Sequence, residues 1–343
     1  MAASNLRGFW ADAWGEGFKT PEQTSALVDF AARYNFNAVF VQVRKRGDAL
    51  YNSSLEPRDA KLPPDYDPLT DIIHKAHAKG IQVHAWVMIY DAWVESKWVK
   101  MDPGHVCAKH PDWISESYAG QKTYVQGRMY LDPGLPEVAE YLTSLVQDLV
   151  RRYPVDGVHL DGLRYPDISF GYNRRSINRF NAEFNRTGTP APGDTDWCSW
   201  RQKQVTELAR NLTKAIRSVR PSIRVSLAAY WNQKEARDRF FQDWPAWAKA
   251  GYFDFIVPMV FVPKSVPEFV KMVDDELAAG SGTPICIGQG TWRFPLETSK
   301  RHLRVIRGKD APGYVLFDYG ALSTQGPDGK CLADGLPLLP PQR

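Results

Sequence analysis

Val155–Asp167 reads VDGVHLDGLRYPD and joins two kinds of sequence. Its first half, Val155-Asp156-Gly157-Val158-His159-Leu160, has the short apolar, β-branched character of a buried strand. Its second half gathers Asp161, Arg164, Tyr165, Pro166 and Asp167. A strand that ends on a carboxylate, then an arginine and a tyrosine held by a proline, carries its polar chemistry at one end only. Parallel α/β sheets place their sites at that C-terminal edge.

Seven further segments share the apolar pattern: 7–13, 38–43, 82–89, 224–229, 253–259, 285–288 and 313–317. With 157–161 they make eight strands. Most are near-continuous apolar runs, as parallel strands covered on both faces require. Helical patterns alternate with them. TPEQTSALVDFAARY opens with Thr20 as N-cap, Pro21 at the first helical position and Gln23 in a capping-box spacing. DPLTDIIHKAHAKG stops at Gly80, and LPEVAEYLTSLVQDLVRRY leads into the strand of VDGVHLD. The alternation predicts an α/β fold, a single (β/α)8 TIM barrel over 1–343, with its core at about 7–320 and a C-terminal extension at 321–343. A doubly wound sheet is the competing arrangement, but no GxGxxG turn follows strand one. Two connections are too long for simple turns, 91–133 after strand three and 165–196 after strand four. Both fall on the C-terminal face of the predicted barrel, where long loops are usually functional.

Composition narrows the classes. A net charge of +4, with no Lys/Arg run longer than three, gives no nucleic-acid signature. No apolar run approaches the roughly 20 residues of a membrane helix. MAASNLRGFW runs almost straight into a strand, so the protein is either cytosolic or begins after a removed export signal. Cys107, Cys198, Cys286 and Cys331 show no CxxC spacing, which leaves open one or two disulfides or four thiols. No metal site and no cofactor are predicted, since HExxH, the P-loop and GxSxG are all missing. The 12 Trp, beside 15 Tyr and 16 Phe, are more indoles than a core needs. Flat amphipathic rings suit sugar-binding clefts, although core packing explains any single one equally well.

The strand ends are read together as one barrel mouth. Strand one delivers Asp12 and Trp14, strand two Arg44 and Asp48, and strand three Trp93 beyond His84. Strand four delivers His159, Asp161, Arg164 and Tyr165. Trp231 and Asp243 follow strand five, Met259 ends strand six, and Gln289 and Trp292 follow strand seven. Carboxylates, arginines and aromatics converging on one mouth suit glycoside hydrolysis. That reaction needs a protonated acid for the leaving oxygen and an ionised carboxylate opposite it. Asp161, ending a buried strand beside Arg164, is the first catalytic candidate. Asp48 is preferred as the second, because Gly47 implies tight backbone there; a salt bridge to Arg44 or Arg46 is its competing role. Asp12, Asp91, Asp243 and Asp318 are the alternatives. The other strand-end residues are assigned to substrate binding. The rival class is a non-catalytic carbohydrate-binding barrel, and a lyase or transferase is a third option, because fold does not fix chemistry.

The chain also resembles the bacterial family 10-like glycosyl hydrolases. The resemblance rests on 7–12 (RGFWAD), Val41-Gln42-Val43-Arg44 with Gly47-Asp48, 131–134 (LDPG), 156–161 (DGVHLD) with Arg164-Tyr165-Pro166, Gln242-Asp243-Trp244, Val257-Pro258-Met259 and Gly288-Gln289-Gly290. It implies a TIM barrel, exported bacterial members and a polysaccharide or oligosaccharide substrate. That substrate is either peptidoglycan glycan strands lacking stem peptides or an exopolysaccharide, and the site of action is secreted or periplasmic. It places the family's strand-four Asp on Asp161, its strand-two Arg and Asp on Arg44 and Asp48, and its Tyr-Pro on Tyr165-Pro166. Two positions depart from the family pattern. Gly162 stands where relatives often carry an aromatic, and Phe261 where they often carry Tyr. The oligomeric state is not legible in the sequence.

Overall fold

The computed structural model describes residues 5–95, 100–309, 311–325 and 330–336. Ten strands are formed: β1 Leu6–Ala11, β2 Ala38–Arg44, β3 Gln82–Met88, β4 Asp91–Val94, β5 Arg128–Tyr130, β6 Gly157–Asp161, β7 Arg224–Ala229, β8 Phe255–Val260, β9 Ile287–Gly290 and β10 Gly313–Phe317. Eight of them close a parallel barrel in the order β1-β10-β9-β8-β7-β6-β3-β2. Each of the eight coincides with a predicted strand to within about two residues. The stretch VDGVHLD forms β6, between β3 and β7.

The continuous apolar runs resolve into two faces. Val158 and Leu160 of β6 face the helical shell, as do Val83, Ala85 and Val87 of β3 and Val39, Val41 and Val43 of β2. The alternate residues Phe40, Trp86, Phe255, Val257, Cys286 and Val315 form a separate cluster inside the barrel with Trp10. Side chains alternate along a strand, so β6 turns His159 and Asp161 inward.

The helices form as their signals indicate. Thr20 caps the helix Pro21–Arg33 by accepting from the Gln23 N–H, while the Gln23 side chain accepts from Lys19 N. The helix Pro136–Arg152 buries Val138, Leu142, Leu145, Val146, Leu149 and Val150 as one stripe. At roughly 1.5–3 kcal/mol per buried side chain, that stripe outweighs propensity differences of at most about 0.7 kcal/mol per residue.

The two long connections are more ordered than their sequences suggest. The first carries β4 and β5, paired antiparallel beside the mouth. The second carries the helix Arg174–Phe184, whose only buried residues are Ser176 and Phe180, too few to mark a helix by periodicity. Arg201 fastens this connection from below. It donates to the Ile168, Phe170 and Pro192 carbonyls, and its guanidinium packs among the rings of Tyr165, Tyr172, Trp197 and Phe241. Beyond β10, Leu322, Ala333 and Leu336 are buried, and Asp334 accepts from the Tyr34 hydroxyl. The extension therefore packs on the barrel as far as residue 336, and 337–343 lie outside the described residues. All four cysteines are free thiols.

Candidate active site

Asp161 ends β6 at the mouth and is buried. Its Oδ2 accepts from the Trp86 indole N–H at 3.0 Å and its Oδ1 from the Gly162 N–H at 2.6 Å, with Arg164 at 3.6 Å. Gly162 has φ +64°, and a Cβ there would meet the Met88 methyl at 3.1 Å. The glycine is therefore what lets the chain turn back onto the carboxylate.

Beside Asp161 lies a charged wall. Arg128 of β5 pairs with Asp91 of β4 and also feels the Asp161 charge. Burial raises the Asp91 carboxyl above the usual range, against the pull of Arg128. Arg46 faces Asp91 as well, and its guanidinium stacks on Trp14 at 4.2 Å. Arg46 Nε, Arg128 Nε and Arg164 Nη1 are buried and make no hydrogen bond among the described residues. The wall beside the candidate carboxylate is thus built of three guanidinium groups, Arg128 paired with Asp91 and Arg164 with Asp161.

The floor is aromatic. Trp10 lies 6.5 Å from Trp86, 6.0 Å from Phe261 and 5.9 Å from Phe317, centroid to centroid. Trp292 meets Phe261 and Phe317 edge-on and is 48% exposed, while Trp14 on the other rim is 51% exposed. The hydroxyl-free Phe261 is thereby part of an apolar surface. Met259 lies half-buried at the mouth end of β8, on the inward parity of Phe255 and Val257.

A carboxyl pair, Asp12 and Asp318, follows β1 and β10 on the other side of the barrel from β6. β10 lies four strands from β6 in either direction around the barrel. Asp318, just past β10, is raised above the usual carboxylate range by burial, then by the charge of Asp12 and a hydrogen bond with it. Asp318 Oδ1 accepts from Ala321 N, and Asp12 Oδ1 accepts from the Trp14 and Gly15 N–H groups. A carboxyl whose environment favours the protonated form is suited to donate a proton.

Several predicted site residues are not at this surface. Asp48 is bound by Lys45 at 2.8 Å and by the Arg46 N–H, and Lys45 ties it to Asp59, so its carboxylate is committed to an ion-pair cluster. Gly47 does adopt the tight backbone expected, at φ +74° against His105. Arg44 is fully buried. It chelates Glu56 and donates to the Met88, Ile89 and Asp91 carbonyls, which makes it a positioning residue for the β3–β4 turn. His84 and His159 are barrel-core residues. His84 stacks on Phe40 at 4.7 Å with burial pushing its pKa down to about 4, and His159 Nδ1 bonds Ser226 Oγ at 2.9 Å. Tyr165 is fully buried beside Arg201 and Phe241. Asp243 caps the helix Trp244–Lys249 and accepts from Gln202. Gln289 has the outward parity of β9 and donates to the Ser299 carbonyl in the helical shell. Trp93 is half-buried against His105, at the edge of the charged wall. Trp231 stacks on Tyr230 and borders a different cavity on the flank. Trp86, Trp10, Phe317 and Arg128, which do shape the mouth, are missing from the sequence reading. Trp86 has the inward parity of His84 in β3, but parity within an apolar run does not tell which inward residue reaches the mouth.

Among the described residues no group of three or more His, Cys, Asp or Glu side chains is placed to hold a metal, and no helix is long and apolar enough to cross a membrane. His105, two residues before Cys107, uses both ring nitrogens, on Arg46 O and the Cys107 N–H.

A closed parallel barrel of eight strands alternating with helices, with a carboxylate at its mouth over an aromatic floor, is a TIM barrel. More particularly, the sequence model of the Glycosyl hydrolase-like 10 family matches residues 5–281, and the chain belongs to that family. It is 30% identical over 267 residues to glycosyl hydrolase DigH of Escherichia coli (strain K12), covering 69% of this chain and 57% of that one. It is 26% identical over 282 residues to glycosyl hydrolase YngK of Bacillus subtilis (strain 168), covering 76% and 52%. The chain thus spans little more than half the length of these relatives. Among solved structures, the PgaB (BpsB) glycoside hydrolase domain of Bordetella bronchiseptica superposes with a TM-score of 0.69 at 14% identity, covering 98% of this chain and 100% of that one. An α-L-fucosidase isoenzyme of Paenibacillus thiaminolyticus does so at 0.63 and 14% identity, covering 92% and 46%. At these identities the structural likeness speaks for the fold alone.

Proposed function

We propose that the protein hydrolyses O-glycosidic bonds within peptidoglycan glycan strands, with Asp161 as the central carboxylate. The observation that carries this reading is Asp161 itself. It is held at an aromatic-floored mouth by two N–H groups, and the Asp12–Asp318 pair follows β1 and β10 on the other side of the barrel. Asp318, holding its proton to higher pH than a free aspartate, is the candidate acid for the leaving oxygen, in place of Asp48. The guanidinium groups of Arg46, Arg128 and Arg164 beside Asp161 favour a sugar bearing a carboxylate, such as the lactyl group of muramic acid freed of its peptide. The same three cations disfavour a de-acetylated, cationic exopolysaccharide. A site of action outside the cytoplasm follows from that substrate.

The test is to incubate purified protein with denuded peptidoglycan strands and read the products by mass spectrometry. Asp161→Asn and Asp318→Asn should each lower kcat by about 10²–10⁴-fold with melting temperature preserved. Full activity in Asp161→Asn would overturn the mechanism. Binding without cleavage by the unmutated chain would assign it to the non-catalytic glycan-binding class instead.

A further inference from the structure

Trp231 lies two residues past the end of β7, on the same face as the mouth, yet it lines a separate cavity of about 620 Å³. That cavity runs between the helix Gln233–Asp238 and the helix Val266–Ala279. The second helix starts at the C-terminal face after β8 and descends the outside of the barrel, so the cavity continues from the rim down the flank. Its helical wall is one face: Glu268, Met272, Glu276 and Ala279 follow each other at helical spacing.

Glu276 is the unusual group. It is 2% exposed, lines the cavity, and its Oε2 has no hydrogen-bond partner. A buried carboxylate would be costly there. Burial, followed by the charge of Asp275, pushes the Glu276 pKa up to about 9, so the group is a neutral acid and a hydrogen-bond donor at neutral pH. The rim lysines are already neutralised, Lys234 by Asp238 at 2.8 Å and Lys271 by Asp275 at 2.6 Å. A partly exposed indole, an apolar Met272 and one inward donor, behind a rim whose lysines are paired and whose Glu268 carries no ion pair among the described residues, disfavour an anion and select a ligand with an apolar face and an acceptor.

We infer that this flank cavity is a second glycan-binding site, separate from the mouth, which takes an N-acetylated sugar unit with its ring on Trp231 and its acetamido carbonyl on Glu276. The acetamido methyl would pack on Met272. The inference rests on the reading of the barrel as a glycan-acting protein. It extends that reading by giving the polymer a hold beside the point of cleavage.

Calorimetric titration of the full-length Asp161→Asn chain with chitotetraose tests it without turnover. Trp231→Ala and Glu276→Leu should each weaken one class of site at least tenfold and lower the stoichiometry. Glu276→Gln, which keeps a donor, should retain it, and cellotetraose, which has no acetamido group, should not occupy it. Unchanged titrations in Trp231→Ala overturn the inference; that half-exposed position tolerates truncation even if Glu276→Leu unfolds the chain. Equal binding of cellotetraose overturns the acetamido assignment. Failure of cleavage at the mouth would leave a Trp231-dependent site still detectable, so the two readings fail separately.

Discussion

Asp161 owes its orientation to two neutral N–H donors more than to Arg164, which stands at 3.6 Å. Hydrogen bonds to a charged group contribute about 1.5–3 kcal/mol. Trp86→Phe, which keeps a ring in the floor but removes the indole N–H, should therefore lower kcat on glycan strands by about tenfold to a hundredfold, with little change in KM. A rate equal to that of the unmutated protein would show that the Trp86 bond does not orient the carboxylate. Asp161 was legible because its strand ends in a turn sequence. Trp86 was not, because it lies 75 residues earlier within an apolar run. Gly162 is the reverse case. It was conspicuous in sequence as a missing aromatic, but its φ of +64° and the Met88 methyl make it a requirement of the turn.

At the scale of elements, the buried Arg44–Glu56 pair shows how a strand end can look functional and be structural. Arg44 closes β2 after a register shift at Gln42/Arg44, and the shift sends its guanidinium under the β3–β4 turn. There it pairs with Glu56 and donates to three carbonyls, while the Tyr141 hydroxyl donates to Glu56 at 2.7 Å. Removing one partner of such a pair leaves an uncompensated buried charge, worth about 3–5 kcal/mol. Arg44→Met or Glu56→Leu alone should lose about that much stability in urea titration, and the double variant should recover most of it. Additive losses would show that the two residues do not act as a pair. The carbonyls held by Arg44 belong to the turn that carries Asp91 to Arg128, so the single variants should also impair the charged wall. Sequence located the strands because their runs were apolar. It could not separate Gln289, on the outward parity, from Asp161, on the inward one, because both faces of a barrel strand are buried.

For the whole molecule, buried titratable groups outside the mouth set the pH range of stability. His84 and His302 are pushed down to about 4 by burial, from an ordinary 6.5. Below pH 6.5 the unfolded chain takes up protons that the folded chain refuses, so stability falls as pH drops from 6.5 toward 4. Glu276 has the opposite sign. Its folded pKa of about 9 exceeds the unfolded 4.5, so stability falls as pH rises between those values, by up to about 1.4 kcal/mol per pH unit. Together these groups place the maximum melting temperature near pH 6.5, and Glu276→Gln should flatten the decline between pH 7 and 9. An unaltered alkaline slope in that variant would show that Glu276 does not stay protonated on folding. What the amino-acid order determined alone is the eightfold alternation of strand and helix, and with it the barrel and the face on which its chemistry lies. Periodicity, caps and turn residues are local, and each can be read within one element. The composition of the mouth was decided only by the tertiary structure. Barrel closure sets Asp318 beside Asp12 and Trp10 beside Trp86, contacts between strands far apart in the chain. Burial then determines which of the many charged strand ends are saturated by protein and which still face the space where a glycan would lie.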